Sequence, residues 1–327
     1  MRVVVLGAGS MGSLVGGSLA ATDWTAPESQ TADGVAVTLL GRDDEHTRQI
    51  RRDGLRMTHP DGTEECVPVA VATDESAVAD ADLLVVCVKS YDTEEAITGV
   101  APYLDGGDVL TLQNGLGNAE TVADYVPDER VIVGTTSHGA VREAPGHVRH
   151  AGRGETTIGR YFADNDPRVH AIADLLTGAG VETTVTDHPQ RAVWTKVLVN
   201  AGINAPTALA GVPNGALAEE PGGQRLLRRA VEEGAEIAHA SGVDVPEDVV
   251  ERTLAVAERT ADWVSFATPS PRRSISSGPS PRSAATSSMG RGVAARATAR
   301  SDSGTSLASA PSAAGFWCTI QALPSEG

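Results

Sequence analysis

Lysine is almost missing from this 327-residue chain: Lys89 and Lys196 are the only two, although arginine is used freely. Aromatic residues are scarce as well, at 3%. Basic side chains as a whole are outnumbered, with 26 Lys and Arg against 43 Asp and Glu. Residues 1–260 hold 40 of the acids and 20 of the basic residues, whereas residues 261–327 hold three acids and six arginines. An acidic surplus repels a phosphate backbone and argues against nucleic acid as a partner. Few lysines, few aromatics and this surplus are expected of a halophilic protein, whose high-salt surroundings screen self-repulsion within a few ångströms.

Cys66, Cys87 and Cys318 are too scattered for a disulfide framework and form no CxxC pair of the zinc-binding kind. No metal site is expected. A run of about 18 apolar residues is missing, which excludes a membrane-spanning helix. The N-terminus opens directly on a strand-like segment, without the basic and apolar regions of a secretory signal. A cytoplasmic protein without a membrane partner is therefore expected, long enough for two domains with separate cores.

What is present begins at once. Met1 to Gly7 is a β-branched run read as a buried parallel strand, followed by Gly7-Ala8-Gly9-Ser10-Met11-Gly12 and an apolar helical segment from Ser13 to Ala21. A GxGxxG that follows a strand and opens a helix fits a dinucleotide. The first Gly permits the tight turn, the second admits the pyrophosphate, and the third lets helix and strand pack closely. The helix N-terminus supplies amide donors. After a polar insertion from Thr22 to Gly34, the second strand (Val35 to Leu40) ends in Gly41-Arg42-Asp43. An acid at this position suits the ribose hydroxyls of NAD, and Arg42 suits the 2′-phosphate of NADP.

Gly54 to Val71 alternates as a β-hairpin would, with a turn at Pro60-Asp61-Gly62. Buried strands are expected at Asp82–Val88, Val109–Gln113 and Val131–Thr136. Lys89 and Asn114-Gly115 fall just past strand C-termini, where open α/β sheets bind ligands. Antiparallel strands through Gly146–His150, a helix from Pro167 to Leu176 and a strand from Val181 to Val185 close the first domain near residue 187. Residues 189–260 are helical in pattern, with segments at Arg225–Ser241 and Pro246–Thr260 and a turn at Gly211–Gly215. His239 is read as structural.

The most informative stretch is Trp194 to Asn204. As a helix it sets Lys196, Asn200 and Asn204 at steps of four, each drifting only about 40°, so the three share one face. Val197, Leu198, Val199, Ala201 and Ile203 lie between them, so the stripe is expected to face a cleft rather than solvent. A structural cation paired with a carboxylate is the competing reading of Lys196. From about Asp262 the composition turns to Ser, Pro, Ala and Arg without periodicity. Residues 263–327 read either as a disordered tail or as the product of a frameshift near residues 261–264.

The glycine motif, Arg42, Val88-Lys89-Ser90, Leu112-Gln113-Asn114-Gly115, Trp194-Thr195-Lys196, Asn200, Ile203-Asn204 and Pro213-Asn214-Gly215 together resemble the ketopantoate reductase family over roughly residues 1–260. The resemblance implies an α/β protein. An N-terminal Rossmann-type doubly wound domain (1–187) would bind NADP, and an all-α substrate domain (188–262) would be followed by the irregular tail. It further implies that NADPH delivers hydride to the C2 ketone of 2-dehydropantoate, giving pantoate for pantothenate and coenzyme A synthesis. Lys196 would be the general acid, while Asn114, Asn200, Asn204 and Asn214 would orient this small 2-keto acid. Gly7 to Gly12, Lys89 and Asn114 would meet the cofactor, and Arg42 would hold its 2′-phosphate. A homodimer is left open. Ala205 stands where the family has Pro, with Pro206 one place late, and the family's late Ser and Glu have no counterpart after residue 260. The helical domain is thus expected to be incomplete. Two alternatives remain: a related β-hydroxy-acid or opine dehydrogenase, and an NADP-binding protein with impaired catalysis.

Overall fold

A computed structural model describes residues 1–24 and 34–264. The tail from residue 265, and residues 25–33 of the expected insertion, lie outside the described residues. In chain order the strands are β1 (Arg2–Leu6), β2 (Ala36–Leu40), β3 (Leu55–Thr58), β4 (Glu64–Val67), β5 (Ala70–Ala72), β6 (Leu83–Val86), β7 (Asp108–Thr111), β8 (Val131–Thr136), β9 (Gly139–Ala144), β10 (His147–Gly152), β11 (Thr156–Arg160) and β12 (Thr183–Val185). The helices are α1 (Ser10–Ala21), α2 (Glu45–Asp53), α3 (Thr93–Val100), α4 (Asn118–Ala123), α5 (Pro167–Gly178), α6 (Pro189–Ala210), α7 (Gly215–Glu219), α8 (Pro221–Ala240) and α9 (Val249–Arg259).

Eight strands form the main sheet in the order β12-β11-β8-β7-β6-β1-β2-β5. Strands β5, β2, β1, β6, β7 and β8 are parallel, and β11 turns antiparallel against β8. The Val- and Leu-rich runs of β1, β6 and β7 are buried, as strands covered on both faces must be. From β1 the chain winds outward to β2 and β5, then returns to place β6 beside β1. That reversal opens the crevice in which a doubly wound sheet binds its ligand.

One face of the sheet packs with α1 and α5 through Val3, Val5, Leu14, Leu19, Ile172 and Leu176. The other face packs with α3 and α4 through Val4, Leu84, Ile97 and Val122, and it also takes in Val193 of α6. Leu198, Leu217, Leu227, Val231 and Val250 form a separate core for the helical segment. There Gly202 lets α6 approach closely, since an added Cβ would sit 2.6 Å from Val231 and 2.9 Å from Thr253.

Several expectations need correction. The hairpin is confined to β3 and β4, because β5 leaves it to pair with β2 at the edge of the main sheet. The expected antiparallel pair is β9–β10, but β10 also pairs in parallel with β3, making a second sheet of order β4-β3-β10-β9. Strand alternation alone does not reveal that pairing. Helix α8 starts at Pro221 rather than at Arg225, because proline fits the first helical turn, where a missing N–H costs nothing. Trp263 O accepts the Asn214 N–H at 2.9 Å, which joins the chain after α9 to the turn before α7. Among the described residues no helix is long and apolar enough to cross a membrane.

Candidate active site

The glycine-rich turn joins β1 to α1 at the switch point. Gly7 has φ +104°, a left-handed value that a side chain resists, and an added Cβ would lie 2.8 Å from Val88 N. A Cβ on Gly12 would collide with Gly7 O at 1.9 Å. Gly9, by contrast, has nothing within 4 Å of a Cβ position, and it caps α1 without a side-chain hydrogen bond. The turn is closed beneath and open above its second glycine, which fits a pyrophosphate resting on the helix N-terminus. Cys87 packs under Gly12, and burial pushes its thiol up to about 12, so it is no nucleophile at neutral pH.

The end of β2 lies beside this turn, with Gly41 against Ala8. The two acids that follow Arg42 are occupied. Asp43 pairs with Arg48 at 2.9 Å, and Asp44 caps α2 by accepting the Thr47 N–H at 3.0 Å. The Arg42 side chain is 91% exposed, with Asp92 3.8 Å away. A guanidinium thus follows the end of β2, while the two acids after it are bound elsewhere.

The loops after β6 and β7 are tied into one unit. Gln113 donates to Val88 O at 2.8 Å and to Thr93 Oγ1 at 2.7 Å. Ser90 Oγ donates to Asn114 O at 2.7 Å, and Asn118 donates to the same carbonyl at 3.2 Å. This network brings Lys89 and Asn114, both exposed, to the same edge of the sheet. Gln113, Ser90, Thr93 and Asn118 were not singled out as site residues by the sequence. The hints were that polar residues follow two buried strands and that Ser90 and Gln113 fall within the stretches that carry the resemblance.

Helix α6 runs unbroken from Pro189 to Ala210 with Pro206 inside it, so the proline's shifted position does not end the helix. Val193 and Val197 join the apolar cluster that includes Val88. By helical geometry their face continues as Lys196, Asn200 and Asn204, all half-buried. Burial alone lowers the pKa of Lys196, and among the described residues no carboxylate pairs with it. Asn214 is placed differently from the other asparagines. It is 2% exposed, and its carboxamide donates to Thr260 Oγ1 at 2.9 Å, holding the turn before α7 to the end of α9.

Two cavities, of about 400 and 280 Å³, lie away from this edge. One is bordered by Gln49, Arg56, Glu64 and Cys66, the other by Arg228, His239 and Val250, and neither involves a predicted site residue. His239 itself bonds Ala235 O within α8 at 2.8 Å. No group of three or more His, Cys, Asp or Glu suited to a metal occurs among the described residues.

A crevice of this construction, in a doubly wound sheet followed by a helical segment, is that of a dehydrogenase working with a nicotinamide dinucleotide. The family model described as ketopantoate reductase PanE/ApbA matches residues 3–162, and its C-terminal counterpart matches residues 189–281. The chain belongs to the ketopantoate reductase family. It is 59% identical to the 2-dehydropantoate 2-reductase of Halobacterium salinarum, over 80% of this chain and 82% of that one. It is 33% identical to the corresponding protein of Pyrococcus abyssi, over 75% and 77% of the two chains. The crystal structure of a PanE/ApbA family ketopantoate reductase from Ralstonia eutropha superposes with a TM-score of 0.69 at 33% identity, covering 80% and 81%. D-mandelate dehydrogenase, solved with NADH and anilino(oxo)acetate, shares the fold at a TM-score of 0.69 and 24% identity, covering 80% of each chain.

Proposed function

We propose that this chain reduces 2-dehydropantoate to pantoate with NADPH, and that Lys196 is the general acid. The observation that carries the reading is an ammonium whose pKa burial lowers, with no carboxylate partner among the described residues, on the face of α6 that continues as Asn200 and Asn204. The Rossmann domain would comprise residues 1–187 and the helical substrate domain residues 188–262.

Gly7 to Gly12 would cradle the pyrophosphate, Arg42 would take the 2′-phosphate through charge-assisted hydrogen bonds, and Lys89 and Asn114 would border the cofactor. When bound, the dinucleotide supplies the hydride. Negative charge then grows on the substrate's C2 oxygen, where the Lys196 ammonium both stabilises it and donates the proton. Burial weakens the hold of Lys196 on that proton and makes it a better acid. Asn114, Asn200 and Asn204 would orient the keto acid by hydrogen bonds. Asn214 would act through the turn it fixes.

The test is turnover by the purified chain at high salt, followed by NADPH consumption and pantoate formation. Phenylglyoxylate, the keto acid corresponding to mandelate, serves as the rival substrate. Reduction of 2-dehydropantoate with NADPH preferred over NADH is expected. Faster reduction of phenylglyoxylate would overturn the substrate assignment.

A further inference from the structure

His46 is 2% exposed and lies in the first turn of α2, four residues after Arg42. Both of its ring nitrogens are engaged, by elements far apart in the sequence. Its Nδ1 accepts the Gly146 N–H at 2.9 Å, from the turn between β9 and β10. Nδ1 therefore carries no proton, and in the neutral ring Nε2–H donates to Ser13 Oγ, which is 2.9 Å away and fully buried. Ser13 follows directly on Gly12 in α1. The ring thus ties the helix that opens the glycine-rich turn to the small sheet, through the start of α2.

The same turn of α2 fixes the Arg42 backbone. Thr47 Oγ1 donates to Arg42 O at 2.6 Å, and the Asp44 N–H donates to that carbonyl at 2.8 Å. The Arg142 guanidinium of β9 stands 3.8 Å from Asp44, a second link from the small sheet to this loop. We infer that His46 is a positioning residue for cofactor selection, holding Arg42 at the distance from the glycine-rich turn that separates the 2′-phosphate from the pyrophosphate of NADP. It does not touch the cofactor. This inference rests on the reading of Arg42 as the 2′-phosphate ligand, and it explains why an exposed side chain can discriminate at all: the loop beneath it is anchored on two sides. A displaced loop loses the aligned, charge-assisted contact while leaving the pyrophosphate contacts common to NADPH and NADH.

The experiment titrates the full chain with NADPH and with NADH, following nicotinamide fluorescence, in the wild type, Arg42→Ala, His46→Phe and the double variant. Arg42→Ala is expected to lower the NADPH-to-NADH affinity ratio about tenfold, the usual scale for a lost charged contact. His46→Phe is expected to lower the ratio by a comparable factor, and the double variant to fall no further than Arg42→Ala alone, because the two act through one contact. His46→Asn, which keeps an acceptor for Gly146, and His46→Gln, which keeps a donor for Ser13, should each lose less. These two variants decide the matter if His46→Phe does not fold. An unchanged ratio in folded His46 variants, or losses that add in the double variant, would overturn the inference. An unchanged ratio in Arg42→Ala would instead overturn the 2′-phosphate reading, and with it the premise.

Discussion

Lys196 differs from an ordinary surface lysine in what surrounds it. Val197 and Leu198 follow it, Val193 precedes it by one helical turn, and burial is the sole cause of its lowered pKa. The sign of the effect on rate follows directly. Proton donation needs the ammonium, so kcat should decline as pH rises through this lowered pKa, below the ordinary 10.5 of a lysine. A kcat profile measured with saturating cofactor should show that alkaline limb. A rate level up to about pH 10 would mean that Lys196 is not the donor. Arg42 presents the opposite case at the same scale. Nothing buries its guanidinium, and its position depends on a backbone held by Thr47 and Asp44.

Elements show which parts of this arrangement local sequence can reveal. The stripe of α6 was legible because helical periodicity turns a spacing of four into a shared face, whatever the rest of the chain does. The glycine-rich turn was legible because strand, turn and helix are contiguous. The second sheet was not, since it pairs Arg56 with His147, segments far apart in the sequence. The knot around Gln113 was hidden for a related reason: its partners come from the two loops after β6 and β7 and meet only when those strands are adjacent. Asp108 was equally silent in the sequence. At the start of β7 it is buried and binds Arg168 Nε at 2.7 Å and the buried Arg160 guanidinium of β11. Replacing it with Ala removes the buried carboxylate from Arg160 and leaves only the more exposed Asp166, at 2.8 Å, a loss of up to about 3–5 kcal/mol by the usual cost of breaking a buried pair. Urea unfolding of Asp108→Ala should show it, and a change under about 1 kcal/mol would show that the cluster is idle.

At the scale of the whole molecule, buried imidazoles lie where the small sheet meets the rest of the fold. His138 Nδ1 and His150 Nε2 lie 2.9 Å apart between the loop after β8 and the small sheet. Burial lowers the pKa of His138 and takes that of His150 to about 4; burial also lowers that of His46. Each folded pKa lies below the unfolded 6.5, so the unfolded chain binds protons first. Stability is complete above about pH 6.5 and falls as pH drops from there toward about 4. Tm measured across that window should decline, and His150→Gln should flatten the slope; a level Tm in the wild type would contradict the burial of these rings as neutral groups. On the same scale, the acidic surplus accords with a 59% identical relative in Halobacterium salinarum.

The central claim, that Lys196 protonates the reduced keto acid, is tested most directly by Lys196→Ala. Turnover of 2-dehydropantoate and NADPH affinity would be measured on the same folded preparation. A fall in kcat of about 10²–10⁴-fold is predicted from the loss of a positioned proton donor, with the Kd for NADPH unchanged because the lysine sits on α6 rather than at the glycine-rich turn. A folded Lys196→Ala chain with undiminished kcat would contradict the account.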